Sequence, residues 1–279
     1  MQLSIDGIPF LLKVPQSFSW LSAYGQVFKV YDRLTSGNLC FCMDGPYGQL
    51  FVKYAGAETV NYDGRLHDAV VTLRNAMPLY EKPRENLVTL LAHGAAGEGY
   101  AAVYRYLPYV SLKITRDSPD IRARLHREPL FVRLKMLDDL FQLLVSLSDE
   151  GLLFVDMSEA NILVDLSMGA IALCDIDQFR PLPAVNTLGR MPGSPALLAP
   201  EEYKQGAYLD RDTDVYHLGA LAFLFFSERT DFSQSGWEAT AGLYKVALRA
   251  VSQERGRRYA SPEKFLKAWR AAVGSINLH

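Results

Sequence analysis

The sequence predicts an α+β fold in two parts, with strands up to about residue 107 and mostly helices from residue 108 onward. Residues 26–55 alternate apolar and polar side chains between short turn sequences, which is the pattern of antiparallel strands. Residues 131–150 instead carry apolar side chains at every third or fourth position and stop at Gly151. This spacing is typical of an amphipathic helix with a glycine terminator.

Composition narrows the functional classes. The 279 residues suffice for two modest domains, and the 49% hydrophobic and 22% charged contents are ordinary for a globular protein. The net charge of -2 gives no indication of a nucleic-acid or membrane-surface partner. The longest strongly apolar run, residues 218–226, is shorter than the about 20 residues of a membrane-spanning helix. The three cysteines lack metal-binding spacing, and the N-terminus lacks the features of a secretory signal, so we expect a cytoplasmic protein with reduced cysteines.

Residues 1–25 are rich in aromatic and apolar side chains, and Pro9 and Pro15 interrupt any long helix. We expect this stretch to form an extension that packs on the first domain, residues 26–107. Residues 66–80 carry apolar side chains at helical spacing and predict the main helix of that domain. Its strands are predicted over residues 26–32, 38–44, 49–56, 86–94 and 100–109. The second domain, residues 108–279, is predicted to be mostly helical.

Lys53 is the first candidate functional residue. It stands at the centre of a predicted strand between apolar neighbours. A lysine in such a place is costly unless its ammonium group has an anionic partner. The alternative is a strand lysine that faces solvent.

The most informative stretch is residues 154–177, where two strand-like runs each deliver an aspartate, Asp156 and Asp175. Between them, Asn161 begins a third apolar run. Aspartate is a poor strand former and is costly to bury without a partner. Three oxygen donors beside rigid strands suit Mg²⁺, which prefers hard oxygen ligands. The alternative is a surface hairpin with turn-forming Asp and Asn.

Asp156 and Asn161 in the pattern D-x-x-x-x-N, followed by Asp175 at a strand end, resemble the catalytic loop and metal-binding aspartate of the protein kinase superfamily. Residues 193–202, GSPALLAPEE, resemble the kinase segment that ends the activation loop and binds the substrate peptide. The resemblance covers about residues 26–272 and is nearest to bacterial, eukaryotic-like serine/threonine kinases. Its markers, in family order, are Lys53, Asp156, Asn161, Asp175, Ser194, Glu201, Asp214 and Arg258.

The resemblance implies a bilobal protein-kinase-like fold, with a five-stranded antiparallel N-lobe, one main helix in that lobe and a mostly helical C-lobe. It implies ATP and Mg²⁺ as cofactors and a protein Ser/Thr hydroxyl as acceptor. Lys53 would hold the phosphates, Asp156 would accept the proton of the hydroxyl, and Asn161 and Asp175 would hold Mg²⁺. The remaining nucleotide contacts would come from Gly37 in the phosphate loop, residues 32–39, and from the hinge residues Tyr104, Arg105, Tyr106 and Leu107.

The same resemblance assigns supporting roles. Asp214 would accept backbone N–H bonds from the catalytic loop, and Glu201 and Arg258 would form a structural ion pair. Lys53 needs an acidic partner, for which Asp68 is the candidate; Glu58 and Glu81 are the other choices.

The sequence also departs from the family pattern. Phe154 and Val155 replace the usual His-Arg, Ser158 replaces the usual Lys, and Asp177 stands where the family has Gly. Gly37 is the one family glycine present in the phosphate loop. Asp177 would either approach the metal or cap a turn. These departures leave two alternatives, a small-molecule phosphotransferase of the aminoglycoside or choline kinase type and a nucleotide-binding pseudokinase.

Overall fold

A computed structural model describes residues 1–229 and 231–276. Within these residues the chain is a mixed α/β structure with six α-helices, a five-stranded antiparallel sheet and several smaller antiparallel sheets. The backbone divides into two compact units. The first comprises Met1–Arg84 and Val88–Pro108, and the second comprises Glu85–Leu87 and the chain from Tyr109 onward. None of the helices in the described ranges combines the length and the apolar character needed to cross a membrane.

The first unit is built around the five-stranded sheet, whose strand order is β3-β4-β5-β7-β6. Its elements are, in chain order, β1 (Gln2–Ile5), β2 (Ile8–Leu11), β3 (Gln26–Tyr31), β4 (Asn38–Gly45), β5 (Gly48–Ala55), α1 (Leu66–Glu81), β6 (Leu90–Ala96) and β7 (Gly99–Arg105). All neighbouring strands of this sheet pair antiparallel. The five predicted strands and the helix predicted over residues 66–80 are thereby confirmed, although the strand predicted over residues 86–94 begins only at Leu90 and the one predicted over residues 100–109 ends at Arg105.

Residues 1–25 contribute to one of the two hydrophobic faces of this sheet. Phe10 and Phe18 join the buried cluster that contains Phe41 of β4 and Tyr54 of β5. The Phe18 ring lies 5.4 Å from the Phe41 ring and 5.7 Å from the Tyr54 ring, centroid to centroid. The β1–β2 hairpin was not among the predicted strands, although the Asp-Gly pair at its turn is a common hairpin signal.

Helices are the main regular structure of the second unit, with short strand pairs between them. Its elements are β8 (Val110–Ser111), α2 (Ile121–Arg127), α3 (Leu130–Asp149), β9 (Leu152–Leu153), β10 (Ile162–Asp165), β11 (Ala170–Leu173), β12 (Arg180–Pro181), β13 (Ala184–Val185), β14 (Tyr208–Leu209), α4 (Arg211–Phe226), α5 (Ala241–Ala250) and α6 (Pro262–Gly274). The strand pairs are β10 with β11 and β8, β9 with β12, and β13 with β14.

Helix α4 forms the centre of the second unit. Its side chains from Thr213 to Phe226 are all buried, and a helix that is apolar nearly all round belongs in a core. The side chain of Asp210 begins the helix by accepting the N–H of Asp212 at 2.9 Å. Helix α3 ends before Gly151, whose φ of +85° is the left-handed conformation in which helices commonly stop. The end of α3 and the first turn of α4 together support the loop that carries Asp156.

Candidate functional site

A hairpin in the second unit brings Asn161 and Asp175 to the same end. Strands β10 and β11 pair so that Ile162 is opposite Leu173. One residue beyond this pair, the Cys174 N–H donates to the Asn161 carbonyl at 2.8 Å. Asp175 is the next residue, so the two predicted metal ligands, Asn161 and Asp175, lie side by side at the same end of the hairpin.

Asp156 joins them through the loop of residues 154–161, called here the Asp156 loop. The Asn161 side-chain Nδ2 donates to the Asp156 carbonyl at 2.9 Å, and the Asn161 N–H donates to the Ser158 carbonyl at 3.0 Å. The structure therefore brings Asp156, Asn161 and Asp175 together, each half-buried. Because the amide nitrogen of Asn161 is engaged, its oxygen Oδ1 is the atom that can bind a cation.

The backbone is strained at both aspartates. Asp156 has a φ of +66° and Asp175 a φ of +54°, and they are two of five non-glycine residues with positive φ in the described chain. Such residues are uncommon, and strained backbone of this kind concentrates at functional sites. The strain is therefore an indication of function that is independent of the sequence motif.

Asp214 holds the beginning of the Asp156 loop. Its carboxylate is fully buried; Oδ1 accepts the Phe154 N–H at 3.0 Å and Oδ2 accepts the Ser148 hydroxyl at 3.0 Å. Burial raises the pKa of Asp214 to about 7. The prediction that Asp214 accepts a backbone N–H from this loop is confirmed. The middle of the loop is held by the Ser194 N–H, which donates to the Met157 carbonyl at 2.9 Å.

The two residues before Asp156 belong to the core. Phe154 and Val155 have no exposed surface. Val155 packs in an apolar cluster with Met191 and Leu198, which lie in the chain after the hairpin. Apolar contact thus links the Asp156 loop to that part of the chain. Further along, Asp177 lies half-buried in a turn after the hairpin.

Residues 186–202, called here the 186–202 segment, fold around the buried amide of Asn186. Its Nδ2 donates to the carbonyls of Gly189 at 2.6 Å and of Glu202 at 3.0 Å. Its Oδ1 accepts the N–H groups of Leu188 and Gly189, both at 3.0 Å. These bonds close the loop with groups of the chain itself, with no phosphate required.

The predicted ion pair of Glu201 and Arg258 is confirmed. The two nitrogens Nη1 and Nη2 of Arg258 donate to the two Glu201 oxygens at 2.7 and 3.0 Å, and both side chains are buried. Burial alone would raise the pKa of Glu201, but the Arg258 guanidinium outweighs it and lowers the pKa below its usual value. Thr213 adds a third bond by donating its hydroxyl to Glu201 at 2.9 Å.

An open groove of about 600 Å³ runs beside the 186–202 segment. Its lining is largely apolar and includes Leu198, Tyr203, Tyr216 and Phe232. Ser194, whose N–H holds the Asp156 loop, also lines the groove. A groove of this lining can accept an apolar side chain.

In the first unit, Lys53 lies on β5 with Cys40 opposite it on one side and Ala102 on the other. Only 6% of the residue is exposed, so the alternative of a solvent-facing lysine does not hold. The carboxylate of Asp68, the candidate partner of Lys53, is bound by Arg65 through bonds of 2.9 and 3.0 Å. Glu81 lies 3.9 Å from the His93 ring.

Two aromatic side chains, Tyr31 and Phe51, share the face of the sheet that carries Lys53, and neither was among the predicted site residues. Directly opposite residues in an antiparallel pair share a face, so Tyr31, opposite Cys40, lies on the same side as Lys53. Its ring is 6.3 Å from that of Phe51. The sequence alone could have predicted the position of Phe51, because it stands two residues before Lys53 and alternate residues of a strand lie on one face.

Gly37 is buried in a way that itself requires glycine. Its φ is +78°, and a Cβ atom there would lie 2.8 Å from the Tyr62 ring and 3.0 Å from the Cβ of Ala69. Packing inside the first unit therefore explains the residue, and its contact with a phosphate stays a prediction.

The four predicted hinge residues follow one another at the end of β7. The Tyr104 ring packs on Tyr80 of α1 at 5.3 Å. The N–H of Arg105 donates to the Thr89 carbonyl at 2.9 Å, and the N–H of Tyr106 donates to the Gln49 carbonyl at 3.1 Å. Because these two N–H groups are already bonded, the predicted contact with adenine would have to come from backbone carbonyl groups of the hinge residues or from the half-buried Leu107.

Across the described ranges, no group of three or more His, Cys, Asp or Glu side chains is placed to hold a metal ion. No family model matches the chain, and a search of curated proteins finds no match.

Proposed function

We propose that this protein is an ATP- and Mg²⁺-dependent phosphotransferase of the bilobal protein-kinase-like fold, acting on Ser/Thr hydroxyls of proteins. The observation that carries the proposal is the meeting of Asp156, Asn161 and Asp175 at one end of a hairpin, with both aspartates in strained backbone conformations. A pair of turn residues in a surface hairpin would not need the buried support that Asp214 gives to the Asp156 loop.

The donor set fits Mg²⁺ bound together with a nucleotide. Asn161 offers an amide oxygen and Asp175 a carboxylate, and both are hard ligands. Mg²⁺ usually takes one or two carboxylates and completes its shell with water and phosphate oxygens. A site of this kind needs no larger acidic cluster. When bound, ATP and Mg²⁺ supply the phosphoryl group and a charge that stabilises its transfer.

In the proposed reaction, Asp156 orients the acceptor hydroxyl and accepts its proton. Catalysis of this type depends mainly on positioning. The hydrogen bonds from Phe154 to Asp214 and from Ser194 to Met157 support such positioning, because they fix the loop on both sides of Asp156. Lys53, buried on β5 of the first unit, would contribute a cation for the phosphates.

A protein acceptor is favoured by the groove of about 600 Å³ beside Ser194. An extended polypeptide could place an apolar side chain against Leu198 and Tyr216 while a neighbouring hydroxyl approaches Asp156.

The second candidate is a nucleotide-binding pseudokinase. It is favoured by Gly37, which is packed against Tyr62, and by the aromatic rings of Tyr31 and Phe51 on the face that carries Lys53. Both features would limit how closely the phosphate groups of a bound nucleotide approach the sheet, so that a nucleotide would bind without transfer of its phosphoryl group.

The test is transfer of labelled phosphate from ATP in the presence of Mg²⁺, with generic protein acceptors and with aminoglycoside and choline acceptors. We expect labelled protein from the wild type and from the exposed control Asp149→Asn. Asp156→Asn should lose about 10²–10⁴ in rate, the range for a general base. Undiminished transfer by Asp156→Asn would exclude Asp156 as the group that accepts the proton. Labelling of the small acceptors alone would mean that the substrate is a small molecule and not a protein.

A further inference from the structure

His217 and Glu202 form a buried pair that has no part in the chemistry proposed above. His217 lies in α4, one turn after Asp214, and has no exposed surface. Its Nε2 is 2.7 Å from Oε2 of Glu202, a residue that is 1% exposed. The resemblance described above does not imply this pair.

Glu202 fastens the end of the 186–202 segment. The same Oε2 atom that meets His217 also accepts the Ala199 N–H at 2.7 Å. The backbone carbonyl of Glu202 accepts the Met191 N–H at 2.8 Å and the Asn186 amide at 3.0 Å. Movement of Glu202 would therefore disturb three points of the segment.

On its other side, His217 approaches the support of the Asp156 loop. The ring of His217 lies 6.3 Å from the Phe154 ring, at an interplanar angle of 34°. Phe154 donates its N–H to Asp214, which precedes His217 by one helical turn. His217 thus contacts both Glu202, which holds the 186–202 segment, and Phe154, which begins the Asp156 loop.

Charge explains why a histidine suits this place. Two buried carboxylates near each other, Asp214 and Glu202, are unfavourable unless a cation compensates them. The charged groups that face His217 are Glu202 and Glu201 from the neighbouring 3-10 helix and Asp214 from its own helix. Burial lowers the pKa of His217, but these carboxylates outweigh burial and raise it above its usual value. Nδ1 has no hydrogen-bond partner within the described residues, which opposes a proton on that nitrogen, so the positive charge of the ring depends on the carboxylates alone.

We propose that His217, as an imidazolium ion, is a positioning residue that couples the 186–202 segment to the Asp156 loop. Through Glu202 it fixes Ala199, and through its charge beside Asp214 it fixes Phe154. The two parts of the second unit that flank Asp156 are then ordered together. The consequence for phosphoryl transfer rests on the proposed function, but the coupling itself does not.

The test is hydrogen–deuterium exchange of single amides in the full chain, at neutral pH and without nucleotide. His217→Leu removes the donor, His217→Gln restores a neutral N–H near the Nε2 position, and His67→Gln changes an exposed histidine as the control. We expect His217→Leu to speed exchange of both the Ala199 and the Phe154 amide at least about tenfold, the equivalent of about 1.4 kcal/mol. His217→Gln should recover protection at Ala199, and His67→Gln should change neither amide.

Faster exchange at Ala199 with unchanged exchange at Phe154 would overturn the coupling. If His217→Leu does not fold, the ¹⁵N shifts of the His217 ring in the wild type decide. Protons on both ring nitrogens at pH 7 are expected, and a neutral imidazole would contradict the proposal. Should no variant transfer phosphate, the proposed function fails while the exchange result still stands, so the two failures are distinguishable.

Discussion

Asp214 shows how one residue sets both geometry and pH response. Its buried carboxylate accepts the Phe154 N–H and the Ser148 hydroxyl, and burial raises its pKa from 3.8 to about 7. The folded protein therefore binds this proton more tightly than the unfolded chain does. The stability that this group contributes is greatest below its unfolded pKa and is lost as the pH rises through the folded value.

We expect Asp214→Asn to remove this pH dependence, since the amide cannot ionise while its oxygen can still accept the Phe154 N–H. From about pH 5 to pH 8, the free energy of unfolding of the wild type should fall relative to that of the variant. Each unit of pKa shift is worth about 1.4 kcal/mol. Urea denaturation at several pH values measures the difference, and a difference that does not vary with pH would contradict the assignment.

At the scale of elements, Glu201 and Arg258 join the 3-10 helix Pro200–Tyr203 to the chain just before α6. Removing one partner of a buried ion pair costs about 3–5 kcal/mol. Arg258→Ala should therefore lower the melting temperature with and without nucleotide. The matched control is Arg257→Ala, because Arg257 forms an exposed pair with Glu254 at 2.7 Å, and such pairs contribute about 0–1 kcal/mol.

The Glu201 pair also has a pH signature of the opposite sign to Asp214. The pKa of Glu201 is lowered in the folded protein. Its contribution to the stability of the fold is therefore present above the unfolded pKa and is lost as the pH falls through the folded pKa. Acid should therefore narrow the difference in melting temperature between the wild type and Arg258→Ala. An unchanged melting temperature in Arg258→Ala, together with lost activity, would refute the structural assignment.

The 186–202 segment is held by its own side chains, so we expect activity without phosphorylation of this segment. Val155 cannot pair with a phosphate as an arginine would, and it packs instead on Met191 and Leu198. Phosphatase treatment and Thr187→Ala should leave the rate of transfer unchanged. Asn186→Ala should lower it, because several backbone groups lose their hydrogen-bond partner. Loss of an established activity on both phosphatase treatment and Thr187→Ala would show that phosphorylation is needed.

At the scale of the whole molecule, local sequence patterns were sufficient for the larger elements. Strands β3 to β7 and helices α1 and α3 each repeat an apolar pattern over several residues, which the sequence shows directly. The β1–β2 hairpin was missed because its strands have four residues each and β2 itself contains Pro9. Strands so short carry too few alternations to be distinguished from irregular chain.

The candidate site divides in the same way. Asn161 and Asp175 could be predicted to lie together because each stands beside a strand-like run of the same short stretch, residues 154–177. The packing of Gly37 against Tyr62 and the contact of Glu202 with His217 could not be predicted, because each depends on how distant stretches fold against each other. No periodic signal in the sequence relates such residues.

The proposed function requires that Asp175 binds Mg²⁺ together with a nucleotide while Asp156 acts on the acceptor hydroxyl. The most direct measurement is the melting temperature with and without ATP and Mg²⁺, each variant being compared with its own nucleotide-free state. A ligand at 100 times its Kd stabilises the folded state by about 2.7 kcal/mol. For a chain of this size about 1 kcal/mol moves the midpoint by roughly 2–4 °C, so the wild type should rise by several degrees.

Asp156→Asn should keep most of this rise, and Lys53→Met should weaken it, whereas the exposed control Lys113→Met should leave it unchanged. Asp175→Asn should lose most of the Mg²⁺-dependent part, because a neutral amide is a poorer ligand for a hard cation. Loss of the rise in Asp156→Asn with retention in Asp175→Asn would mean that the two roles are reversed. If none of these proteins shows a rise in melting temperature at millimolar nucleotide, the proposed function is contradicted.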